Sequence, residues 1–238
     1  MAEVIPPVSR REEYAEKTRQ AIVEAARELF SKQGFFSTKV DEIAARARVS
    51  PATVYAVSGG KHGLLHTLIE LWTGDLIMGA TISRIQTMND PVAILRLVAN
   101  VCRSIGEDFG DVMRILLNTA PHDKAAAQSL VAATTRYRRA FLPVSQRLAE
   151  IGALRQGFDV DQAVGVLWFY FGYSGLFTLH DENGWSYERA EEWLCQQAGR
   201  ALLRTPASEV ERGRSDVPSG VEHHRPPDGG TAIQRRSA

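Results

Sequence analysis

Cysteine is scarce in this 238-residue chain, and charge of neither sign is in excess. The two cysteines, Cys102 and Cys195, lie far apart, which argues against a cysteine zinc cluster and against a disulfide framework. Such thiols are compatible with a reducing cytoplasm, where we expect the protein to act. Because the formal net charge at pH 7 is +0, any contact with a polyanion has to come from a local basic patch.

Long hydrophobic runs are also missing, with one marginal exception. The segment from Gln162 to Leu179 carries no charged side chain, and its length is near the lower limit for a transmembrane helix. Gly165 and Thr178 lower its hydropathy, and its flanks are acidic rather than basic. The sequence therefore predicts a buried helix here and no membrane partner.

The two-residue period of a β-strand is not evident anywhere, whereas helical periodicity is common. Ile22, Ala26, Leu29 and Phe30 fall on one face of a first helix, which we expect to start near Glu13. Similar stripes predict later helices over residues 95–105, 109–120, 130–151 with a kink at Pro143, 162–179 and 190–202. The sequence thus predicts an all-α fold.

The stretch VSPATVYAVSGGKHGLL, residues 49–65, lies between two amphipathic runs. Just before it, a short helix is predicted from Val40, with Ser37 or Thr38 as its N-cap. Ser50 is the expected N-cap of the next helix, and Pro51 occupies its first turn, where a missing N–H costs nothing. Two short helices joined by a tight turn predict a helix-turn-helix from residue 39 to residue 58.

The second helix of such a motif enters the major groove of DNA. Ala52 permits close approach, Thr53 can contact a phosphate or a thymine methyl group, and Tyr55 can donate its hydroxyl to a phosphate. From residue 9 to residue 61, ten basic side chains outnumber seven acidic ones, which favours a polyanion. The predicted DNA-binding residues are Thr38, Lys39, Arg48, Ser50, Pro51, Ala52, Thr53, Tyr55 and Lys61.

These motifs resemble the N-terminal domain of TetR-family transcriptional regulators. The resemblance covers about residues 13–72 and includes an AA..LF helix, a Gly-Phe-x-x-T-x-V turn, an IA..A.VS..T.Y motif and a lysine before leucines. It implies a homodimer that binds a palindromic double-stranded DNA operator. It also implies a variable C-terminal domain that binds a small effector and dimerises through its last two long helices. Effector binding usually releases DNA in this family, which implies a repressor.

Two residues depart from the family pattern. Arg48 stands in the turn where the family commonly has glycine, and a left-handed arginine costs about 1 kcal/mol. Ser58 stands where the family usually has phenylalanine, and we expect Val57 to take over its packing role. Both departures bear on the angle of the recognition helix.

Aromatic residues and glycines in the later helices suggest the remaining functions. Because the aromatic side chains exceed what one helix face needs, some are predicted to line a pocket for a small, largely apolar or aromatic effector. The predicted pocket residues are Met113, Tyr137, Phe141, Trp168, Phe171 and Phe177. A helix face without bulk and the last helix predict a four-helix dimer interface. Its predicted residues are Gly165, Gly172, Gly175, Trp193, Gln197 and Ala201.

These predictions divide the chain into four parts. Residues 1–12 are expected to form a flexible arm and residues 13–60 the DNA-binding domain. The TetR-type region extends to about residue 73, because it includes the start of the connecting helix. Residues 61–205 are expected to bind the effector and to dimerise. Residues 206–238 contain no Phe, Trp or Tyr and are predicted to be disordered.

Two other interpretations remain open. An all-α metal phosphohydrolase would use His66, His122, Asp123 and Asp181, which occur in that order. Asp123 also fits the N-cap of a following helix, so we favour the regulator. A DNA-binding module without an effector is the third possibility. Otherwise the sequence indicates no catalytic residue, no cofactor and no metal site, and His62 and His66 are expected to be solvated.

Overall fold

A computed structural model describes residues 9–73 and 76–204 of the chain. Its helices are Arg10–Gln33 (α1), Val40–Ala47 (α2), Pro51–Ser58 (α3), Lys61–Trp72 (α4), Leu76–Ile85 (α5), Pro91–Thr119 (α6), Lys124–Arg139 (α7), Leu142–Glu150 (α8), Val160–Phe171 (α9), Tyr173–Phe177 (α10) and Tyr187–Leu202 (α11). Extended pairing in these ranges is limited to one isolated antiparallel bridge. The predicted all-α class is confirmed.

The first helix starts earlier than the sequence indicated. The Ser9 hydroxyl accepts a hydrogen bond from the Glu12 N–H, and the Glu12 carboxylate accepts one from the Ser9 N–H. This capping box satisfies two backbone donors at the helix start, so α1 begins at Arg10. Residues 9–12 are therefore a cap and a first turn rather than part of a flexible arm. Residues 1–8 and the predicted disordered tail at 206–238 lie outside the described part of the chain.

Helix α6 is continuous over 29 residues, although the sequence predicted two separate helices here. Its glycines allow close packing instead of ending the helix. A Cβ on Gly106 would lie 2.3 Å from a methyl carbon of Leu176. The opposite holds for residues 130–151, which the sequence predicted as one kinked helix. In the structure this segment is divided into α7 and α8. Pro143 lies in the first turn of α8 and does not kink a longer helix.

The uncharged segment is also divided. Gly172 adopts an extended conformation, with φ −69° and ψ 163°, and separates α9 from α10. A short π-helical turn from Thr178 to Glu182 follows. Among the described helices, none combines the length and the apolar character needed to cross a membrane.

Two apolar clusters form the core. The first joins α1–α4 to the second half of α6 and to α7, and its buried side chains include Phe30, Ile43 and Leu116. The second lies among α6, α8, α9 and α11 and includes Phe141 and Leu167. Because α1 and α4 both pack against α6, the N-terminal helices are anchored directly to the later ones.

Candidate nucleic-acid interface

Helices α2 and α3 are joined by a three-residue turn. Arg48 follows α2 with φ 57° and ψ 42°, the left-handed conformation expected from its position. Its N–H donates to the Ala45 carbonyl, and the Val49 N–H donates to the Ala44 carbonyl. A left-handed residue with these two hydrogen bonds terminates a helix sharply, which allows α3 to leave at a new angle.

Helix α3 is fixed at its start and lightly anchored along its length. The Ser50 hydroxyl accepts a hydrogen bond from the Thr53 N–H and lies 2.8 Å from the Thr53 hydroxyl. Pro51 occupies the first turn, as predicted. Val54 is the fully buried side chain of this helix, with 0% exposure. Ser50, Pro51 and Ala52 are exposed, so the helix presents a narrow outer surface.

Tyr55 is the large side chain on that outer surface. It is 56% exposed, and its hydroxyl forms no hydrogen bond with the part of the chain that the structure describes. Its ring passes close to Gly60, where a Cβ would lie 3.1 Å from a ring carbon. Because Gly60 has no side chain, there is space for the Tyr55 ring beside it. The Tyr55 hydroxyl is available to donate to a hydrogen-bond acceptor.

An exposed positively charged side chain lies at the entrance to each helix of the motif. Lys39 is exposed at the N-cap of α2, and Arg48 is exposed in the turn before α3. Neither side chain forms an ion pair with any of the residues in the described ranges. Arg46 differs, because its guanidinium is 2.6 Å from the Glu28 carboxylate. Two cations without an ion-pair partner among the described residues thus precede the exposed helix, one before α2 and one before α3.

Two predicted DNA-binding residues have other contacts. The side chain of Thr38 is 1% exposed and its hydroxyl donates to the Gly34 carbonyl, so it is not available to DNA, contrary to the prediction. It does not cap α2 either, since Lys39 is the N-cap. Lys61 is half-buried, and its ammonium group donates to the Phe35 carbonyl at 2.8 Å. Lys61 therefore stabilises the turn that precedes α2.

A glycine that the sequence analysis missed determines how closely α3 and α4 approach. A Cβ on Gly63 would lie 1.6 Å from the backbone oxygen of Ser58. The smaller Ser58 side chain donates back to the Val54 carbonyl, and Val57 packs against the core, as expected from the family comparison. A glycine soon after the Gly59-Gly60 pair was the available signal, since it is unfavourable inside a helix unless packing requires it.

The helices on either side of the motif, α1 and α4, form polar contacts with the later helices. The Arg27 guanidinium on α1 donates two 2.7 Å hydrogen bonds to the Asp111 carboxylate on α6. His62, in the first turn of α4, lies 2.9 Å from the Asp123 carboxylate, which also caps α7. The hydrogen bond from His62 holds the pKa of Asp123 below its usual value. These contacts link α6 and α7 to α1 and α4, which pack around the helix-turn-helix.

The residues of the phosphohydrolase alternative are not assembled. Asp123 contacts His62 rather than His66, and Asp181 accepts two hydrogen bonds from Arg114. Throughout residues 9–73 and 76–204, no three His, Cys, Asp or Glu side chains are grouped so that they could hold a metal ion.

Five of the six predicted effector residues form an aromatic cluster around Tyr137. Its ring centroid is 5.7 Å from that of Phe141 and 5.6 Å from that of Trp168, and its hydroxyl donates to the Phe171 carbonyl. Phe177 joins at the edge through Tyr173. The remaining member, Met113, is 2% exposed in the N-terminal core cluster.

The predicted dimer residues divide into two groups. Gly172 is buried within its own protomer, where a Cβ would lie 2.4 Å from the Trp168 carbonyl oxygen, so its prediction as an interface residue is wrong. Gly175 packs against Leu194 of the same chain. Gly165 faces open space, and Trp193 is 40% exposed, whereas Gln197 and Ala201 are half-buried.

An outward-facing second helix, a left-handed turn before it and an exposed cation before each of the two helices define the class of helix-turn-helix DNA-binding regulators. Residues 22–68 match the sequence model for "Bacterial regulatory proteins, tetR family". Over 196 residues the chain is 27% identical to the uncharacterized HTH-type transcriptional regulator YdeS of Bacillus subtilis (strain 168), with 82% of this chain and 94% of YdeS aligned. The helix-turn-helix region therefore matches the TetR family, and most of the chain is similar to a transcriptional regulator of the helix-turn-helix type.

Solved structures support the same fold over most of the chain. NalD, the secondary repressor of the MexAB-OprM multidrug efflux pump in Pseudomonas aeruginosa, superposes with a TM-score of 0.65 at 24% identity, covering 82% of this chain and 100% of NalD. The complex of SmeT with triclosan gives a TM-score of 0.65 at 19% identity, covering 88% of this chain and 99% of SmeT. At these identities the likeness is one of fold.

Proposed function

We propose that this regulator is a repressor that binds a palindromic operator as a homodimer and is released by a small molecule. The single observation that carries the DNA-binding part is the outward face of α3, on which Tyr55 is 56% exposed and its hydroxyl has no hydrogen-bond partner among the described residues. Lys39 adds a cation at the start of the motif, and Arg48 adds one in the turn before α3. The proposal includes a cytoplasmic location, since bacterial operators lie there.

Dimerisation through α9 and α11 is supported by the apolar side chains that these helices expose. Phe169 on α9 is 71% exposed, and Gly165, one turn earlier, has open space beside it. Trp193 adds a second aromatic surface on α11, which packs directly against α9. With a twofold axis through this face, the side chains of both protomers would be buried in the same interface.

We place the proposed apolar or aromatic effector at the cluster around Tyr137. Burial raises the pKa of the Cys102 thiol to about 12 and also raises the pKa of Tyr137, so both groups stay neutral at physiological pH. A cluster of rings without a charged group favours a ligand of similar character. The SmeT complex shows that a protein of this fold accommodates an aromatic molecule, triclosan.

The proposed DNA contact is tested with Tyr55→Phe. We expect affinity for an operator selected from random duplexes to fall at least tenfold, because each protomer loses a hydrogen bond to a charged group, which contributes roughly 1.5–3 kcal/mol. Fluorescence anisotropy of the labelled duplex measures this effect. Tyr55→Ala should weaken binding further, while thermal unfolding stays near that of the parent. If Tyr55→Phe binds as tightly as the parent, the hydroxyl does not contact DNA.

A second test separates the strain of Arg48 from its charge. Arg48→Gly should stabilise the chain by about 1 kcal/mol, because glycine adopts the left-handed conformation without strain. The same change should reduce the dependence of log K on log salt by roughly 1.8 for a dimer, since two phosphate contacts are lost.

The matched control for Arg48→Gly is Arg48→Ala. It also removes the cation but keeps a Cβ at the left-handed position, so the same reduction in salt dependence should appear without the gain in stability. Urea unfolding and binding at several salt concentrations measure the two effects. An unchanged salt dependence in both variants would place Arg48 away from the phosphates.

A further inference from the structure

A cavity of about 590 Å³ lies between the DNA-binding region and the later helices. One wall is formed by the end of α1 and the turn before α2, residues 30–37. The other wall is formed by the last turns of α6, by the π-helical turn at His180 and Asp181, and by Tyr187 at the start of α11. The volume falls within the range of small-molecule sites. None of the six predicted effector residues lines this cavity.

Aromatic rings line the cavity from both sides. Phe36 belongs to the turn before α2 and is 54% exposed, although it is a large apolar side chain. On the opposite wall, the rings of His180 and Tyr187 are stacked with centroids 3.8 Å apart and an interplanar angle of 20°. Flat surfaces on facing walls favour a planar ligand, because ring faces stack or meet edge to face.

The formal charges on the cavity wall are neutralised within the chain. The Asp111 carboxylate accepts two hydrogen bonds from the Arg27 guanidinium, each 2.7 Å long. Arg114 donates to both oxygens of Asp181, at 2.8 and 2.5 Å, and its guanidinium lies over the Phe177 ring. A charged ligand would therefore lose its hydration without meeting an unpaired charge of opposite sign.

Neutral polar groups on the wall retain their hydrogen-bonding capacity. Asn118 on α6 lines the cavity, as do Ser31 and Ser37 on the opposite wall. Their side chains form no hydrogen bond with other residues in the described ranges. An amide and two hydroxyls offer both donors and acceptors to a ligand.

We propose that this cavity is a second small-molecule site, which binds a neutral planar aromatic molecule carrying a hydroxyl or amide group. The aromatic walls select its shape, the paired charges select against ions, and Asn118 with the two serines orient its polar group. Because the occupant would touch both the turn before α2 and the end of α6, it fixes the position of the helix-turn-helix. This regulatory consequence rests on the proposed function, whereas binding itself does not.

The class of ligand is tested with three probes that share one ring system. Isothermal titration calorimetry of the full chain compares neutral 2-naphthol with anionic 2-naphthoate and with cationic 2-naphthylmethylammonium. We expect 2-naphthol to bind at least tenfold more tightly than either ion. Equal or tighter binding of an ion, or no binding of 2-naphthol at millimolar concentration, would overturn the proposal.

The location is tested by filling the cavity from each wall. Asn118→Trp and Ser37→Trp should each weaken 2-naphthol binding at least tenfold. Thermal unfolding shows whether each variant is folded, and if one of them is not, the other still tests the location. The matched control is Asn100→Trp, an exposed asparagine about five turns away on the same face of α6. The control should bind within twofold of the parent. Unchanged binding in both cavity variants would place 2-naphthol elsewhere, for example at the Tyr137 cluster, and would overturn the proposal.

DNA binding is measured in parallel on the same samples. If the parent binds 2-naphthol at the cavity but no duplex DNA, the proposed function fails and the site stands. If it binds its operator but not 2-naphthol, the site fails and the proposed function stands. The regulatory consequence predicts that saturating 2-naphthol changes operator affinity at least threefold in the parent and leaves Asn118→Trp unaffected.

Discussion

Gly63→Ala is expected to destabilise the chain by about 3 kcal/mol and to abolish operator binding, because the added Cβ would lie 1.6 Å from the Ser58 backbone oxygen. The carbon of the same carbonyl would be 2.8 Å away. Since both atoms belong to the backbone, no side-chain rotation relieves the clash. The end of α3 has to move away from α4, and the exposed face of α3 moves with it.

Gly63→Ala is informative because its expected change in stability is opposite in sign to that of an ordinary glycine-to-alanine substitution in a helix. In an ordinary helix, replacing glycine with alanine stabilises by roughly 0.5–1 kcal/mol. Gly79→Ala on α5 is the matched control, because a Cβ there meets nothing within 4 Å. Urea unfolding should therefore show a loss of stability for Gly63→Ala and a small gain for Gly79→Ala, and anisotropy should show DNA binding in the second variant alone. A Gly63→Ala variant as stable as the parent would contradict the proposed close approach.

Local signals explain why the helix-turn-helix was predictable. Ser50 and Pro51 are adjacent in sequence, and the cap and first turn that they form depend on a few neighbouring residues. Arg48 could be assigned a left-handed conformation because the family pattern has glycine there, and the structure confirms it. The bounds of α2 and α3 follow from such signals.

Contacts between distant residues were not predictable in the same way. The clash at Gly63 arises from the angle between α3 and α4, and the Lys61 contact with the Phe35 carbonyl joins residues that are far apart in sequence. The residues next to Lys61 in sequence do not indicate whether its ammonium group stabilises a turn or binds a phosphate. The Arg27–Asp111 pair is equally invisible, since neither side chain has an unusual local pattern.

Glycines in the later helices show the same limit. The glycines of α6 do not interrupt it, because packing against Leu176 and its neighbours favours a continuous helix. Gly172, in contrast, breaks a segment that periodicity predicted as one helix, and it turns inward against Trp168. The sequence alone could not decide which glycine allows close packing and which ends a helix, because both roles depend on the neighbouring element.

The other large effect is expected at the proposed dimer face. Phe169 on α9 is 71% exposed, and Gly165 leaves open space beside it for a partner helix. Phe169→Glu would place a carboxylate of each protomer near the twofold axis, where two desolvated like charges oppose association. We expect sedimentation velocity to show a monomer at micromolar concentration. The fold of each protomer should be retained, because the side chain makes little contact within its own chain.

Loss of the dimer should have a larger effect on DNA than loss of any single contact. When two recognition helices are linked in a dimer, binding of the first raises the effective concentration of the second at its half-site. Affinity for the palindrome is therefore about 10²–10⁴ times the affinity for one half-site. Phe169→Glu should therefore weaken binding to the full operator at least 100-fold while leaving weak binding to an isolated half-site unchanged. Val131→Glu on α7 is the control, since Val131 is 67% exposed but lies outside α9 and α11. A Phe169→Glu protein that remains dimeric and binds the operator like the parent would show that the protomers associate through another surface.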